Sequence, residues 1–172
     1  GGGLKTRLAL GGVSFELESG QLIALLGAPG SGKSTLLQHM NGLLLPDEGR
    51  IRVFDIEVVP ETKRSGVGRL RQRVGLIFQY PEQQLFEETV EKDIRFGPMN
   101  FGASEEEAGE AARRAAEVMG ISSELMEKSP FELSSGQMRK VAIAAVLAVD
   151  PEVIIADEPT ASLDPASRRE LL

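Results

Sequence analysis

The chain predicts an α/β fold with a mainly parallel sheet, a small antiparallel β part near the N-terminus and an inserted helical subdomain. Three observations carry this reading. An apolar run at residues 21–26 leads through a glycine-rich turn into a helical stretch. A second apolar run, residues 153–156, lies near the other end. Between the two, the strand pattern gives way to helical periodicity opened by two capping boxes, which is how a core sheet interrupted by helices reads in sequence.

Taken in order, Val13, Phe15 and Leu17 alternate with Ser14, Glu16 and Glu18, which predicts a half-buried strand turning at Ser19-Gly20. Residues 21–26 predict a buried strand and residues 34–42 a helix. Leu45-Pro46-Asp47-Glu48-Gly49 closes that unit, and residues 50–54 alternate as another strand. Residues 61–68 are polar and turn-rich and predict a loop; residues 74–78 predict a buried strand that stops at Gln79. Residues 88–96 then predict a helix. Ser104 and Glu107 form a capping box opening a helix to about Met119, stopped by Gly120. Residues 122–128 predict a short helix before Pro130. Ser134 and Gln137 form a second capping box, ahead of an apolar helix over residues 138–149 that ends at Asp150-Pro151. Residues 153–156 predict a strand buried on both faces, as in a parallel sheet.

The chain has 172 residues, enough for one α/β domain with a core. It has no cysteine, which excludes disulfides and thiolate metal sites. A net charge of -7 disfavours an extended nucleic-acid surface, and with no Trp and one Tyr there is little to stack on bases, so no nucleic-acid partner is expected. No apolar run approaches ~18 residues, and no basic segment followed by an apolar stretch marks a secretory signal. Any membrane role is expected to run through partner proteins.

Gly27-Ala28-Pro29-Gly30-Ser31-Gly32-Lys33-Ser34-Thr35 fits the phosphate-binding loop of nucleotide hydrolases. Strand, glycine turn and helix start gather backbone N–H groups around one point, at the positive end of a helix dipole. Lys33 supplies a point charge for the outer phosphates; at ~4 Å and an effective dielectric near 20 it gains roughly 4 kcal/mol per phosphate charge before desolvation. Ser34 supplies a hydroxyl for Mg²⁺. Asp157-Glu158 directly follows the second apolar strand, where ligands gather in parallel sheets. Asp157 is placed to hold Mg²⁺, and Glu158 to accept a proton from the water that attacks the γ-phosphate. Leu133-Ser134-Ser135-Gly136-Gln137 reads as a helix start able to bind an anion.

In this order, the phosphate loop, Gln79 after a strand, Leu133-Ser134-Ser135-Gly136-Gln137, Asp157-Glu158 and Ser162-Leu163-Asp164 resemble the motifs of the ABC ATPases along essentially the whole chain. The resemblance implies a P-loop NTPase (RecA-like) core formed by residues 1–80 and 150–172, with a helical subdomain at 81–149, in one domain expected to continue past both ends of this chain. It implies ATP at residues 27–35 and Gln79, with Ser34, Gln79 and Asp157 as Mg²⁺ ligands. Ser134, Ser135, Gly136 and Gln137 become the signature that meets the ATP of a partner subunit, and Asp164 the D-loop aspartate across a head-to-tail dimer of ATPases. ATP then closes the dimer and hydrolysis loosens it.

A narrower resemblance lies in Phe78-Gln79-Tyr80-Pro81-Glu82-Gln83-Gln84-Leu85-Phe86-Glu87-Glu88-Thr89-Val90, in Ser129-Pro130-Phe131-Glu132-Leu133 and in Val141-Ala142-Ile143-Ala144. These are similar to the energy-coupling factor (ECF) transporter ATPases, importers of vitamins and transition-metal ions in prokaryotes. That implies a second ABC ATPase subunit, a transmembrane coupling subunit and a substrate-binding membrane subunit as partners, at the cytoplasmic face of the cell membrane. Glu82, Glu87, Glu88, Glu91 and Asp93 are expected to make an acidic groove for the coupling helices. Ser135 and Ser162 stand where the family usually has glycine. Neither an adenine-stacking aromatic before Val13 nor a switch histidine is found in this chain, and His39 is expected to be an ordinary helical residue. The alternatives are the ATPase of a conventional ABC transporter, which would differ only around residues 80–90, and a soluble non-transport ABC ATPase.

Overall fold

In the computed structural model, which describes residues 9–159, the chain divides into two units that adjoin in sequence at Thr62 and Lys63. Among the described residues the first holds one helix and a hairpin. Helix α1 (Lys33–Met40) opens directly after Gly32 and closes at Asn41, with Gly42 at φ 70° donating its N–H to His39 O at 3.0 Å. Strands β1 (Ile51–Val53) and β2 (Ile56–Val58) pair antiparallel, Ile51 opposite Val58 and Val53 opposite Ile56. Phe54 and Asp55 make the turn, Phe54 at φ 55°, and a positive φ at that position suits the twist of the flanking strands. The alternation across residues 50–54 thus belongs to the antiparallel part, and Ile56-Glu57-Val58 repeats it on the return.

No ladder forms at residues 13–17 or 21–26, where strands are predicted, and Leu22 and Leu26 are exposed. Alternation and apolarity describe what a strand buries. A strand itself exists only as a pairing of N–H and C=O groups, and among the described residues no neighbouring edge takes these up.

The second unit is built on β3 (Val74–Ile77) and β4 (Val153–Ala156), paired parallel from Val74 opposite Val153 to Ile77 opposite Ala156. All four residues of β3 are buried. In β4 only Ile155 is, and Ile154 is half exposed; the burial on both faces expected from its apolar run does not occur, because among the described residues β4 pairs with β3 alone. Residues 61–68 are not a plain loop. A 3-10 turn (Arg64–Val67) runs into helix α2 (Gly68–Arg73), and Val67 and Leu70, three apart, are both fully buried. Two apolar residues among charged neighbours make too thin a stripe to register as helical periodicity. The Arg73 guanidinium, at the end of α2, forks onto the Glu152 carboxylate just before β4.

Helices α3 (Val90–Asn100), α4 (Glu105–Val118), α5 (Ser123–Met126) and α6 (Ser135–Leu147) fill the stretch between those strands. Thr89 caps α3, its Oγ1 accepting from Lys92 N at 3.3 Å. The helix runs past Pro98, whose missing N–H leaves out one helical hydrogen bond. Both predicted capping boxes form. Ser104 N donates to Glu107 Oε2 at 2.8 Å while Glu107 N donates to Ser104 Oγ at 3.3 Å. Ser134 and Gln137 reciprocate in the same way, so α6 starts at Ser135 rather than Met138. At the far end of α4, Ile121 N reaches Ala116 O at 2.8 Å and Gly120 N reaches Glu117 O at 3.1 Å around Gly120 at φ 63°, a Schellman stop.

The core of this unit joins Val90 and Ile94 of α3, the alanines Ala111, Ala112, Ala115 and Ala116 of α4, and Val141 and Ala144 of α6. Alanine on the packed face of α4 lets the helices approach closely. The C-terminal end of α6 lies tight on its neighbours: a Cβ at Gly75 would come within 2.7 Å of Val146 Cγ1 and 3.0 Å of Pro151 Cγ, and one at Gly97 within 2.7 Å of Val149 Cγ2. No helix among the described residues is long and apolar enough to cross a membrane. Gly75→Ala is expected to destabilise the protein by about 1–3 kcal/mol through overpacking; an unchanged urea midpoint would show that α6 does not press on β3 there.

Candidate functional site

The glycine-rich loop curls around its own lysine. Lys33 Nζ donates to Gly27 O at 2.9 Å and to Ala28 O at 3.2 Å. Gly32 is the N-cap of α1 at φ 95°, and a Cβ there would also meet Ala9 O at 2.8 Å, so both conformation and space call for glycine. The first helical hydrogen bond runs from Leu36 N to Gly32 O. Lys33, Ser34 and Thr35 therefore have no intrahelical acceptor for their N–H groups, and the first turn carries no acidic side chain. Such a helix start attracts anions. His39 behaves as an ordinary helical residue: its Nδ1 lies 2.7 Å from Thr35 O, and since a carbonyl can only accept, the proton sits on Nδ1.

In the second unit the parallel pair does what strand ends in α/β folds do. Asp157 N donates to Ile77 O at 2.9 Å, carrying the ladder one step past β4. The next residues then meet: Gln79 Nε2 donates to Glu158 Oε2 at 3.4 Å. Glu158 stands at φ 48°, a left-handed conformation that costs a residue with a Cβ roughly 1–2 kcal/mol. Non-glycine residues held in this way cluster at functional sites.

At the start of α6, Ser134 is the N-cap and Ser135 the first helical residue. Among the described residues the non-glycine positions of positive φ are Phe54, Asp150 and Glu158, so Ser135 sits where a glycine is common without a left-handed backbone. Ser134 and Ser135 are exposed, and the first turn of α6 carries no acidic residue. Asp164 and Ser162 lie outside the described residues.

The acidic groove expected from the sequence needs correction. Asp93 is buried at 4% exposure, and its carboxylate accepts from Phe86 N at 3.2 Å and Glu87 N at 3.3 Å, closing the turn before α3. Glu82 turns inward to Arg139. Glu88 is exposed but ion-paired with Lys92 at 2.6 Å, which holds its carboxyl below the usual range; Glu91 pairs with Arg95 at 3.5 Å. A run of acids on sequence looks like one surface, yet helical spacing sends Asp93 to the side of Ile94 and Val90. Three aromatic residues are exposed here beside the polar ones: Tyr80, Phe86 and Phe96, the last two edge to face with ring centres 4.9 Å apart. Arg139 escaped the sequence reading altogether. Its signal was position: on α6 it lies three and four residues before the buried Ala142 and Ile143.

A glycine-rich phosphate loop in the first unit, and in the second a glutamine and a carboxylate pair at parallel strand ends with a serine-capped helix, are the parts of a nucleotide-binding cassette. The chain belongs to the ABC transporter family, whose sequence profile matches residues 10–161. It is 57% identical over 164 residues to the energy-coupling factor transporter ATP-binding protein EcfA2 of Listeria monocytogenes (serotype 4b, strain F2365), taking in 95% of this chain and 57% of that protein. This chain therefore spans little more than half the length of that relative. Among solved structures it resembles cbiO1 from Clostridium perfringens, part of the ABC transporter complex cbiONQ, with a TM-score of 0.80 and 40% identity over 95% of this chain and 64% of that one. It also resembles a dimeric ATP-binding cassette in a post-hydrolysis state bound to ADP and Pi, with a TM-score of 0.72 and 29% identity over 84% of this chain and 63% of the other.

Two measurements test this geometry. Burial pushes the Asp93 carboxyl above its ordinary value of 3.8, against the pull of its two N–H donors. The folded state then binds that proton more tightly than the unfolded state. The stability of wild type relative to Asp93→Asn is expected to be greatest below about 3.8 and to fall as pH rises through the raised folded value; urea unfolding across the acid range reads it, and a difference independent of pH would contradict the buried carboxyl. Glu158→Gly should be more stable than Glu158→Ala by about 1 kcal/mol, since only glycine takes φ 48° without cost. Equal urea midpoints would remove the strain from Glu158.

Proposed function

We propose that this chain is the cassette of an ATP-binding subunit of an ECF-type ABC importer, which hydrolyses ATP to drive uptake of a vitamin or transition-metal ion through separate membrane subunits. The observation that carries the reading is the meeting of Gln79 with Glu158 at the ends of two parallel strands, in a chain that also holds a complete phosphate loop. The identity to an EcfA2 protein and the likeness to cbiO1 support the ECF subtype. We read residues 1–172 as one domain, with the core at 1–80 and 150–172 and the helical subdomain at 81–149.

In this reading residues 27–35 wrap the phosphates of ATP with main-chain N–H groups, and Lys33 leaves its own loop carbonyls for the outer phosphates. Ser34, Gln79 and Asp157 offer oxygen donors, which suit Mg²⁺; Gln79 presents its NH₂ to Glu158, and its carbonyl remains for the metal. Bound there, Mg²⁺ would neutralise charge that grows on the phosphate oxygens. Glu158 takes a proton from water as its oxygen bonds to the γ-phosphorus. The bond from the γ-phosphorus to the bridging oxygen breaks, leaving ADP and phosphate. Ser134, Ser135, Gly136 and Gln137 face the ATP of a second ABC ATPase subunit, and Asp164 lies at that dimer interface. The transmembrane coupling subunit docks on the surface of Tyr80, Phe86, Glu87 and Phe96, which places the protein peripherally on the cytoplasmic face of a prokaryotic membrane.

For the full-length protein, Mg-ATP at a hundred times its Kd should raise stability by about 2.7 kcal/mol, and Glu158→Gln should keep that shift while losing turnover in the assembled transporter. A thermal scan unmoved by Mg-ATP would refute nucleotide binding here. Turnover retained by Glu158→Gln would take the proton-acceptor role away from that residue.

A further inference from the structure

We propose that Glu82 and Arg139 form a latch that positions Glu158 beside Gln79. The inference rests on the reading of Glu158 as proton acceptor and deepens it by naming what holds that carboxylate in place. Arg139, in the second turn of α6, is 4% exposed. Its Nε donates to Glu82 Oε2 at 3.0 Å and its Nη2 to Glu82 Oε1 at 3.1 Å, a two-pronged fork. Its Nη1 lies 3.4 Å from Pro159 O, the carbonyl next after Glu158. One guanidinium thus spans three segments: α6, the 3-10 turn (Pro81–Gln84) that follows Gln79, and the residues that follow β4.

The turn after β3 and the turn after β4 are therefore joined twice, directly through Gln79 and Glu158 and again through Glu82, Arg139 and Pro159. Stability alone is a poor reason for this arrangement. Burying an ion pair costs desolvation that its attraction often fails to recover, and apolar side chains of similar volume generally serve as well. What a planar fork adds is direction, since two parallel N–H bonds fix both the distance and the angle of the carboxylate. Glu158 has need of such fixing, because its left-handed backbone persists only if its surroundings hold it. Arg139 also lies four residues, about one helical turn, from Ser135 at the exposed start of α6. A displacement of that helix end is passed through a rigid rod to the segment carrying Glu158. Glu82 and Arg139 are positioning residues in this scheme, since neither reaches the reacting atoms.

The test uses the full-length protein assembled with its partner ATPase and membrane subunits. The double variant E82L/R139M removes both charges, so no lone charge stays buried; R139K keeps the charge but loses the fork. The readouts are amide hydrogen exchange at residues 77–83 and 156–159 without nucleotide, the melting temperature, and kcat and KM for Mg-ATP. The double variant should melt within about 3 °C of wild type, a change below about 1 kcal/mol for a chain of this size. Its exchange should quicken in both segments together, and kcat should fall about tenfold to a hundredfold with KM held, the cost of a small misplacement at a reacting centre. R139K should show the same loss of kcat. Unchanged exchange in the double variant, or wild-type kcat in either variant, would overturn the latch. Should the wild-type complex fail to turn over ATP, the hydrolase reading falls, and the exchange comparison alone decides the latch.

Discussion

A short parallel pairing governs the second unit. Parallel strands cannot be joined by a tight turn; they need a crossover long enough to return the chain to its starting side. In this chain the crossover carries α3 to α6, which is why the helical part falls between β3 and β4 and not after them. Because both strands run the same way, both release their chains at the same edge. Gln79 and Glu158 are 79 residues apart in sequence, yet their side chains touch there. The register of Ile77 with Ala156 decides that meeting, and a slip of one residue would turn each side chain to the opposite face.

What was legible in the sequence was what local chemistry determines. Ser104 with Glu107 and Ser134 with Gln137 announce helix starts because each box is closed by atoms within four consecutive residues. Gly120 announces a stop for the same reason. The phosphate loop is legible because its spacing is a property of one turn. Pairing was not legible in this way. Residues 21–26 have the apolarity of a buried strand, but no ladder takes them up among the described residues, and residues 56–58 find a partner only because a two-residue turn delivers one. Helix α2 stayed hidden since its buried face amounts to Val67 and Leu70. Charged residues were the hardest to place. Glu82 and Asp93 are expected in an exposed acidic groove and both turn inward, and the buried Arg139 goes unmarked, because whether a charge can be buried depends on a partner far off in sequence, 57 residues away for Arg139 and Glu82.

Those inward charges change the character of the surface near Gln79. With Glu82 and Asp93 withdrawn and Glu88 and Glu91 paired to Lys92 and Arg95, Glu87 is the remaining acid of the expected groove, and attraction at a distance is weakened. Exposed surface pairs of this kind contribute little and weaken with salt. Tyr80, Phe86 and Phe96, by contrast, expose apolar area whose burial is worth about 25 cal/mol per Å². A partner element docking there would gain more from aromatic burial than from charge, and such binding should depend only weakly on ionic strength.

The same economy appears in the phosphate loop. Lys33 rests on Gly27 O and Ala28 O, so its ammonium is already drawn into the loop by two uncharged acceptors. A hydrogen bond from a cation to an anionic oxygen is roughly twice as strong as one between neutral groups. In the proposed function a phosphate entering the loop would therefore displace the carbonyls, and the side chain would need to rotate about its terminal bonds rather than be ordered from solution. Much of the entropy of holding a long lysine in place, up to about 2 kcal/mol on the usual side-chain scales, has then been met by folding. The carbonyls act as a cradle weak enough to release the charge and close enough to aim it. Glu158 shows the complementary case: it is strained and held by neighbours, where Lys33 is relaxed and held by its own backbone. In the proposed ATPase each is a group already placed by its own unit, and a preorganised dipole or charge need not be reoriented during reaction.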